Sequence, residues 1–324
     1  MSKYAHIIST GSYLPEKVLT NKDLEKVVDT SDEWIYKRSG IRQRYIAAEN
    51  ELTSDMAIKA AKDALDKAGL KPSDIDGIVV ATTTPDRTFP STAVIVQAGL
   101  GASTGLAFDV QAVCAGFVYA LSTVNGLIHT GQAKRILVIG AEKLSSILNW
   151  EDRSTCVLFG DGAAAVILEA RDMQGEEPSE GIISTHLYAD GSFKDALYTD
   201  GGVALNGLSG HIVMDGSAVF RQAVNLMSEA VTKALEHNNL ESSDVDWLIP
   251  HQANIRIIES TAKKLDVPME RVIVTVHNHG NTSAASIPLA MDEAISSGKL
   301  KPGQLALLEA LGGGLTWGSA LIRL

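Results

Sequence analysis

The chain repeats part of its own sequence, and this repeat constrains its fold more than any other feature. The segment ALDKAGLKPSDIDGIVVA begins at Ala64, and ALEHNNLESSDVDWLIPH begins 170 residues later at Ala234. Each copy predicts the end of a helix, a loop and a buried strand. Helix-loop-strand units share some sequence preferences, but the ordered matches favour a duplication. They are Leu65/Leu235, Leu70/Leu240, Ser73/Ser243, Asp74/Asp244 and Asp76/Asp246.

The correspondence continues downstream in the same order. A predicted strand, 106–110 or 271–276, leads through a turn of small residues into a long apolar helix. Aligning the glycines that close these helices, Gly131 and Gly298, gives an offset of 167 and sets Cys114 opposite Asn281. Another apolar strand follows in each copy, 135–141 or 304–310, and then a final apolar strand after a glycine turn.

These patterns predict an α/β protein made of two alternating halves. The strands are uniformly apolar, as in sheets that helices cover on both faces. We place the N-terminal half at residues 1–175 and the C-terminal half at 176–324, with the boundary in the polar stretch 171–180. Ligands of open α/β sheets bind where loops leave the carboxyl ends of strands. Cys114, His251 and Asn281 follow such predicted strand ends.

Composition excludes several classes of protein. A net charge of −11 argues against general nucleic-acid binding, which needs a basic surface. No apolar run approaches the roughly 20 residues of a membrane span, and no apolar leader opens the chain, so we expect a cytoplasmic protein. Two cysteines in 324 residues provide no disulfide framework. A cysteine here is therefore either catalytic or buried in the core.

Cys114 is the candidate nucleophile. It lies where a strand gives way to a helix without charged residues from Ala115 to Ile128. The positive end of a helix dipole favours a thiolate, so we expect a lowered thiol pKa at this position. The alternative is a small core residue, because free cysteine is often buried. Cys156 fits that alternative better, since it lies within TCVLF, a predicted apolar strand.

His251 and Asn281 are candidate hydrogen-bond donors. His251 follows the predicted strand DWLIP and precedes Gln252, so its ring is expected at a loop exit, where it can donate a hydrogen bond or act as a base. A surface or capping histidine is the alternative. Asn281 could likewise be a turn residue or the N-cap of the next helix. The functional interpretation of both residues is favoured because they occupy related loop exits of a duplicated fold.

Several motifs together resemble the β-ketoacyl-acyl carrier protein synthase III family of the thiolase superfamily. They are V-C-A-G-F, I-P-H-Q-A-N, G-N-T-S-A-A-S and G-G-G-L-T-W-G-S-A-L, and the likeness runs through T-S-D-E-W-I, S-G-I-R-Q-R and F-G-D-G-A-A-A. The resemblance therefore covers nearly the whole chain. It implies a thiolase-like fold, in which two pseudo-symmetric βαβαβ halves form a five-layered αβαβα core.

The resemblance also implies the initiating condensation of type II fatty acid synthesis. Cys114 would take acetyl from coenzyme A, and malonyl-acyl carrier protein would lose CO2 and attack the acyl-cysteine, giving acetoacetyl-acyl carrier protein. His251 and Asn281 would stabilise the enolate. Backbone N–H groups of Cys114 and Gly313 would form the oxyanion hole. Both thioesters are substrates, so no cofactor and no metal is expected.

Family-matched positions imply where the substrates and partners bind. Trp34, in the first turn of a helix opened by a predicted capping box from Thr30 to Glu33, would stack the coenzyme A adenine with Arg153. Arg38 and Asn254 would lie nearby. Phe89 would close the acyl pocket across a homodimer and favour short primers. The acidic carrier protein would dock on four residues of the predicted helix 254–265 and its approach: Gln252, Arg256, Lys263 and Lys264.

Some features limit the resemblance or leave alternatives. Leu311 and Leu315 stand where phenylalanine is usual, which predicts a wider tunnel for the pantetheine arm. A degradative thiolase needs a second catalytic cysteine near the C-terminus, and none follows Cys156. An elongating synthase would need His279 as the third catalytic residue. His277 and His279 together could suggest a zinc site, although the second ligand pair of such a site is missing. A paralogue using another acyl-CoA starter and a catalytically silent acyl-CoA-binding scaffold remain open.

Overall fold

The computed structural model describes residues 3–102, 104–173 and 178–324. Its strands are β1 (Lys3–Tyr13), β2 (Lys17–Thr20), β3 (Gln43–Ile46), β4 (Gly77–Ala81), β5 (Leu106–Val110), β6 (Arg135–Glu142), β7 (Gly162–Asp172), β8 (Gly181–Ala189), β9 (Leu197–Thr199), β10 (Ile212–Met214), β11 (Trp247–Pro250), β12 (Leu305–Gly312) and β13 (Thr316–Arg323). Its α-helices are α1 (Asn21–Leu24), α2 (Asp32–Ser39), α3 (Thr53–Ala68), α4 (Thr92–Leu100), α5 (Gly116–His129), α6 (Gly216–His237), α7 (Ile255–Lys264), α8 (Val276–His279) and α9 (Ser286–Ser296).

Two large sheets carry the duplication. The first has the order β1-β7-β6-β4-β5, and the second has the order β8-β13-β12-β11. In the first sheet β4 is parallel to β5 and β6, while β7 is antiparallel to β6 and β1. In the second, β11 is parallel to β12, and β13 is antiparallel to β12 and β8. The pairs β2-β3 and β9-β10 form two small additional sheets.

Helices and sheets alternate in five layers. Helices α5 and α9 lie between the two sheets, and the fully buried Phe117, Leu121 and Val124 of α5 belong to the core that both sheets share. Helices α3 and α4 cover the outer face of the first sheet. Helices α6 and α7 cover the outer face of the second. The predicted αβαβα arrangement is therefore confirmed.

The matched residues of the repeat make matched hydrogen bonds. In the first copy, the Asp76 carboxylate accepts from the N–H groups of Lys134 and Arg135 at 2.9 and 2.8 Å, which joins the start of β4 to β6. In the second copy, the Asp246 carboxylate accepts from Leu305 N–H at 2.7 Å, which joins β11 to β12 in the same way. The duplication is therefore visible both in the amino-acid sequence and in equivalent hydrogen bonds of the two copies.

One predicted strand, at 271–276, is wrong. The segment touches β11 only through the single bridge Leu248–Val272 and the bond from Ile273 N to Leu248 O. Further pairing is prevented because the Gln252 side-chain oxygen accepts from the amides of Thr275 and Val276, where α8 begins. The second sheet consequently has four strands where the first has five.

The predicted pairing of Cys114 with Asn281 is also wrong. Each central helix is preceded by a short 3₁₀ turn, 113–115 or 283–285, and the first residues of these turns, Val113 and Ser283, have φ of 50° and 49°. At this end the offset is 170, which sets Cys114 opposite Ala284. The offset shrinks to 167 at the closing glycines because α5 has 14 residues and α9 only 11.

Two further expectations concern the connecting segments. The predicted strand around Cys156 is a series of turns, because Asp152 accepts hydrogen bonds from Ser154 and Thr155 and bends the chain there. The Cys156 side chain is fully buried, as a core residue should be. The predicted boundary between residues 175 and 176 lies outside the described residues, so the division into two halves at that point stays a prediction.

Within the ranges given above, no helix combines the length and the apolar character needed to cross a bilayer.

The duplicated aspartates provide a test of the fold. Asp76→Ala and Asp246→Ala should each lower the free energy of unfolding by about 2 kcal/mol. Each substitution removes a carboxylate and leaves backbone N–H groups without a hydrogen-bond acceptor. Asp66→Ala, at an exposed position of α3, is the control and should change it by less than about 0.5 kcal/mol. Urea denaturation of the three variants measures these differences. Loss of stability in only one of the two aspartate variants would contradict equivalent roles.

Candidate active site

The three candidate catalytic residues meet in one cavity. Cys114, His251 and Asn281 all line a cavity of about 660 Å³ between the two halves of the repeat. They are 4%, 2% and 6% exposed, so a substrate can reach them only through a cavity. The rest of the lining includes Arg38, Phe220, Arg221, Asn254, Arg256 and Leu311. The structure therefore brings together residues that lie up to 167 positions apart in the sequence.

Cys114 lies in the 3₁₀ turn 113–115 that leads directly into α5. The predicted position at a helix N-terminus is confirmed, but the predicted low pKa is contradicted. Burial raises the pKa of the Cys114 thiol to about 12, and the nearby Glu142 carboxylate raises it further. The resting residue is thus a thiol. A base is required before its sulfur can attack a thioester.

His251 is held as a neutral ring. Its backbone N–H donates to Glu309 O at 2.7 Å, which fixes the residue at the end of β11. Burial lowers the pKa of His251 to about 3, so the imidazole carries one proton at neutral pH. A neutral imidazole has one donor and one acceptor nitrogen, and its neighbours decide which is which.

Ser286 makes that choice. Its Oγ lies 2.7 Å from His251 Nδ1 and accepts from the backbone N–H of Gln252 at 3.2 Å. The Gln252 N–H can only donate and occupies one of the two lone pairs of Ser286 Oγ, so we assign the hydroxyl proton of Ser286 to the bond with Nδ1, with Nδ1 as the acceptor. This leaves the proton of His251 on Nε2. The ring is thereby prepared to donate a hydrogen bond from Nε2.

Asn281 is fixed at both its backbone and its side chain. Its N–H donates to Leu158 O, and its C=O accepts from Gly160 N–H, both at 2.9 Å. Its Oδ1 accepts from Ser283 N–H at 2.9 Å, which identifies the other side-chain atom as the amide nitrogen. The NH2 group is consequently the part of Asn281 that can donate to a bound substrate.

A buried arginine supports the Asn281 loop. Arg44 is fully buried and donates to Leu19 O, Asn21 Oδ1 and Val157 O at 2.6 to 3.1 Å. Gly280 has φ +69° and packs so closely that a Cβ there would lie 2.9 Å from Arg44 Cβ. This packing gives a physical reason for the arginine and glycine of the S-G-I-R-Q-R and H-G-N motifs.

A second, smaller cavity also reaches Cys114. It has a volume of about 290 Å³, and Cys114, Ser283 and Gly313 belong to its wall. The remaining wall is mostly apolar and includes Leu144, Ile147, Phe159, Leu197 and Ile212. A Cβ on Gly312 would lie 2.6 Å from Cys114 N, so the glycine-rich segment runs directly against the cysteine turn. The cavity suits a short apolar acyl group attached to the sulfur.

The predicted adenine-binding residues form a cluster at the far end of the large cavity. A neighbouring pocket lined by Trp34 shares Arg38, Leu158 and Met214 with it. The Arg38 and Arg153 guanidinium carbons lie 4.3 and 5.2 Å from the centre of a Trp34 ring. A stacked base between Trp34 and Arg153 needs about 7 Å, two van der Waals contacts of about 3.5 Å. As placed, Arg153 is too close to Trp34 for a base to stack between them, and it is hydrogen bonded to Asp29.

The predicted capping box from Thr30 to Glu33 is wrong, because the N-cap lies one residue later and the residue three after it is Trp34. Ser31, rather than Thr30, caps α2, because its backbone is extended and its Oγ accepts from Trp34 N–H at 3.1 Å. Trp34 still lies in the first turn. Asn254 caps α7 by accepting from Ile257 N–H at 3.0 Å, so its side-chain oxygen already has a structural role.

The predicted carrier-docking residues divide into two groups. Arg256, Lys263 and Lys264 are exposed on α7, where Arg256 lies over the Phe220 ring and Lys264 donates to Asn225. The prediction for Gln252 is wrong. Its side chain is fully buried and donates to Pro250 O and Ile273 O, so it cannot contact a docking protein.

Four further predictions concern the surroundings of the cavities. Phe89 is 82% exposed in the single chain. Leu311 lines the large cavity, but Leu315 is fully buried beside Met227 and Trp317, so only Leu311 can influence the tunnel.

His279 lies against Glu293 at 3.5 Å and is not part of the large cavity's wall, which removes it as a third catalytic residue. Across the described ranges, no three histidine, cysteine, aspartate or glutamate residues are grouped as metal ligands would be.

Sequence reasoning missed several polar residues of the site. Ser286 orients His251, and Ser283 and Glu142 lie beside Cys114. The serines belong to the G-N-T-S-A-A-S motif, whose small residues were interpreted only as a turn. Glu142 gave one usable signal, a charged residue at the end of an otherwise apolar strand.

Comparison with known proteins identifies the family. The profile "3-Oxoacyl-[acyl-carrier-protein (ACP)] synthase III" matches residues 108–191, and the profile of its C-terminal part matches residues 235–324. The chain is 58% identical over 320 residues to beta-ketoacyl-[acyl-carrier-protein] synthase III of Paramagnetospirillum magneticum, covering 99% of each protein. It is 56% identical to the protein of the same name from Ehrlichia canis, covering 99% of this chain and 100% of the relative.

The fold agrees with these matches. The crystal structure of 3-oxoacyl-[acyl-carrier-protein] synthase III from Aquifex aeolicus VF5 superposes with a TM-score of 0.93 and 51% identity, covering 99% of this chain and 100% of that one. The predicted thiolase fold is confirmed. The chain belongs to the 3-oxoacyl-[acyl-carrier-protein] synthase III family and is a ketoacyl synthase, an acyltransferase-type enzyme.

Proposed function

We propose that this enzyme initiates fatty acid synthesis by condensing a short acyl group from coenzyme A with malonyl-acyl carrier protein. The observation that carries the proposal is that Cys114 lines two cavities, one of about 660 Å³ whose wall includes Arg38, Arg221 and Arg256, the other mostly apolar and about 290 Å³. One cavity can admit the arm of a thioester while the other holds the acyl group. A nucleophile that lines both can pass the acyl group from one thioester to the next.

The first half-reaction loads the enzyme. The Cys114 sulfur attacks the carbonyl carbon of acetyl-coenzyme A, the bond from that carbon to the coenzyme A sulfur breaks, and acetyl-Cys114 and free coenzyme A result. The backbone N–H groups of Cys114 and Gly313 stabilise the oxyanion that forms on the acetyl carbonyl. The position of both residues in the wall of the smaller cavity supports this role. The acetyl group then fits the apolar cavity beside Leu197 and Ile212.

The second half-reaction makes the carbon–carbon bond. Malonyl-carrier protein loses CO2, and the electrons of the broken bond leave an enolate whose oxygen accepts from His251 Nε2–H and the Asn281 amide. Neutral donors suit this step, because they stabilise the developing charge but are too weakly acidic to give up their protons and quench the enolate. The enolate carbon attacks acetyl-Cys114, the Cys114 sulfur leaves as a thiolate that takes up one proton from solvent, and acetoacetyl-carrier protein is released. Both thioesters are consumed, and none of these steps needs a resident cofactor.

The two substrates enter through the same cavity but use different outer surfaces. Trp34, Arg38 and Arg153 supply flat and cationic groups for the adenine and phosphates of coenzyme A. Arg256, Lys263 and Lys264 supply a cationic helix beside the entrance for an acidic carrier protein. The names of the related enzymes include the carrier protein, which supports this choice of partner.

Further aspects of the proposal concern assembly and substrate range. The exposed ring of Phe89 supports a homodimer in which this ring completes the partner's acyl cavity. A cytoplasmic location remains a prediction. A paralogue with another starter would share the catalytic residues, but the full-length identity to initiating synthases favours initiation. A silent scaffold is disfavoured because all three catalytic side chains are present and meet in one cavity.

The proposal predicts a covalent acyl-enzyme on one cysteine. Incubation with acetyl-coenzyme A should add one acetyl group to the parent protein and to Cys156→Ser, but none to Cys114→Ser, because only Cys114 opens into the cavities. Intact-protein mass spectrometry measures the adduct. Acetylation of Cys114→Ser at the parent's level would place the nucleophile elsewhere.

Carrier docking predicts separable effects on the two substrates. Lys263→Glu together with Arg256→Glu should raise the KM for malonyl-carrier protein about tenfold, about 1.4 kcal/mol, while the KM for acetyl-coenzyme A changes much less. Lys62→Glu is the matched control, because this exposed lysine lies on α3 in the opposite outer layer. Steady-state kinetics at low and moderate salt make the comparison. Equal changes for both substrates, or for the control, would exclude α7 as the docking surface.

A further inference from the structure

The buried thiol of Cys114 needs a base, and the obvious candidate is unsuitable. Burial raises the pKa of Cys114 to about 12, while burial lowers the pKa of His251 to about 3. A neutral imidazole with so low a pKa has little tendency to take a proton from so weak an acid. If Cys114 is acylated as proposed above, another group must accept the thiol proton.

Glu142 is a buried carboxyl group beside the thiol. It is the last residue of β6 and has no exposed surface. Three threonines after β4 surround it: Thr83 donates from its N–H at 3.1 Å and its hydroxyl at 3.0 Å, Thr84 donates from its hydroxyl at 2.8 Å, and Thr82 donates from its hydroxyl at 3.3 Å. Donors on every side favour the ionised form, whereas burial raises the pKa of Glu142 and favours proton uptake. These opposing effects make the group able to exchange a proton.

Ser283 lies near both the carboxyl group and the thiol. Its turn, 283–285, packs against both the cysteine turn, 113–115, and the end of β6. The Ser283 hydroxyl lies close enough to lower the pKa of both Cys114 and Glu142. It is 1% exposed, and within the described part of the chain its Oγ makes no hydrogen bond of normal geometry. An unsatisfied buried hydroxyl near an acid and a base can bridge them by rotating.

The backbone holds Ser283 in this place against a conformational preference. Its φ of 49° is in the left-handed region, which costs a serine of order 1 kcal/mol. Val113, beside Cys114, has φ 50°. Strained residues of this kind cluster at functional sites, where the surrounding structure enforces them.

We propose that Ser283 and Glu142 form a proton relay that activates Cys114 for acylation. The thiol proton moves to Ser283 Oγ as the Ser283 hydroxyl proton moves to Glu142. The Cys114 thiolate then attacks the acyl carbon and the coenzyme A thiolate leaves. The proton returns along the same path to the coenzyme A sulfur, so Glu142 ends the half-reaction as a carboxylate.

The relay also solves an electrostatic problem. A carboxylate and a thiolate so close together in a buried site repel each other, and the Glu142 charge accordingly raises the pKa of Cys114. When the proton moves from the thiol to Glu142, one negative charge moves to sulfur and the total charge stays the same. The thiolate thus forms without a second buried charge.

Single-turnover kinetics test the relay directly. Glu142→Gln and Ser283→Ala should slow acetylation of Cys114 by about two orders of magnitude, the contribution of a positioned general base. Once acetylated by long incubation, both variants should condense with malonyl-carrier protein within about threefold of the parent rate. Asp292→Asn is the matched control, because Asp292 is another buried carboxyl group that accepts from hydroxyls, those of Thr10 and Ser12, and it should acetylate at the parent rate.

A pH profile separates the relay from a structural role. Without the relay the thiol must lose its proton to hydroxide, so acetylation of both variants should rise about tenfold per pH unit from pH 7 to 9, below the thiol pKa. The parent rate should be nearly constant there. The side chains around Glu142, Thr82 to Thr84 and Ser283, do not titrate in this range, and the neighbouring Lys143 amine is bound to the carbonyls of Ala48, Glu49 and Glu51.

The outcomes are distinct. A Glu142→Gln protein that acetylates at the parent rate would overturn the relay and leave the proposed function intact. A parent protein that forms no adduct on Cys114 would overturn both. Thermal melting shows whether each variant is folded, and if Glu142→Gln is not, the acetylation rate and pH profile of Ser283→Ala decide the question alone.

Discussion

The contact between two short turns determines the whole site. The turns 113–115 and 283–285 open the two central helices, start with residues of nearly equal φ, and pack against each other between the sheets. A Cβ on Gly116, directly after the first turn, would lie 3.5 Å from the Ala284 Cβ of the second turn. Because of this contact, a nucleophile from one half of the repeat meets donors from the other. Neither half alone contains Cys114, His251 and Asn281 together.

Burial then sets the protonation state of each group. The same loss of water that raises the pKa of Cys114 to about 12 lowers that of His251 to about 3, so the empty site holds a thiol and a neutral imidazole. Ser286 completes the arrangement by directing the imidazole proton to Nε2. The histidine is consequently suited to stabilise an enolate oxygen and poorly suited to activate the thiol. The proposed division of labour between the two half-reactions rests on this difference.

The sequence predicted the architecture because the repeat is carried by residues whose physical roles are local. Asp76 and Asp246 bind the amides of the next strand, and such bonds leave recognisable aspartates in both copies. The catalytic positions were predictable from motifs at loop exits. The thiol pKa was not, because the helix end is visible in sequence while the depth of burial depends on the opposite half. Gln252 was misassigned for a related reason: its polarity suggested a surface, but its amide replaces strand pairing inside the protein.

The central claim is that Cys114 carries the acyl group while His251, oriented by Ser286, and Asn281 act only on the malonyl group. The most direct measurement compares the two half-reactions in His251→Ala, Asn281→Ala and Ser286→Ala by rapid-quench mass spectrometry and CO2 release. Acetylation of Cys114 should stay within a few fold of the parent in all three. Decarboxylation should fall by about two orders of magnitude in the first two, as expected for a lost oxyanion donor, and less in Ser286→Ala. Loss of acetylation in His251→Ala would contradict the account, because the histidine would then be the base of the thiol.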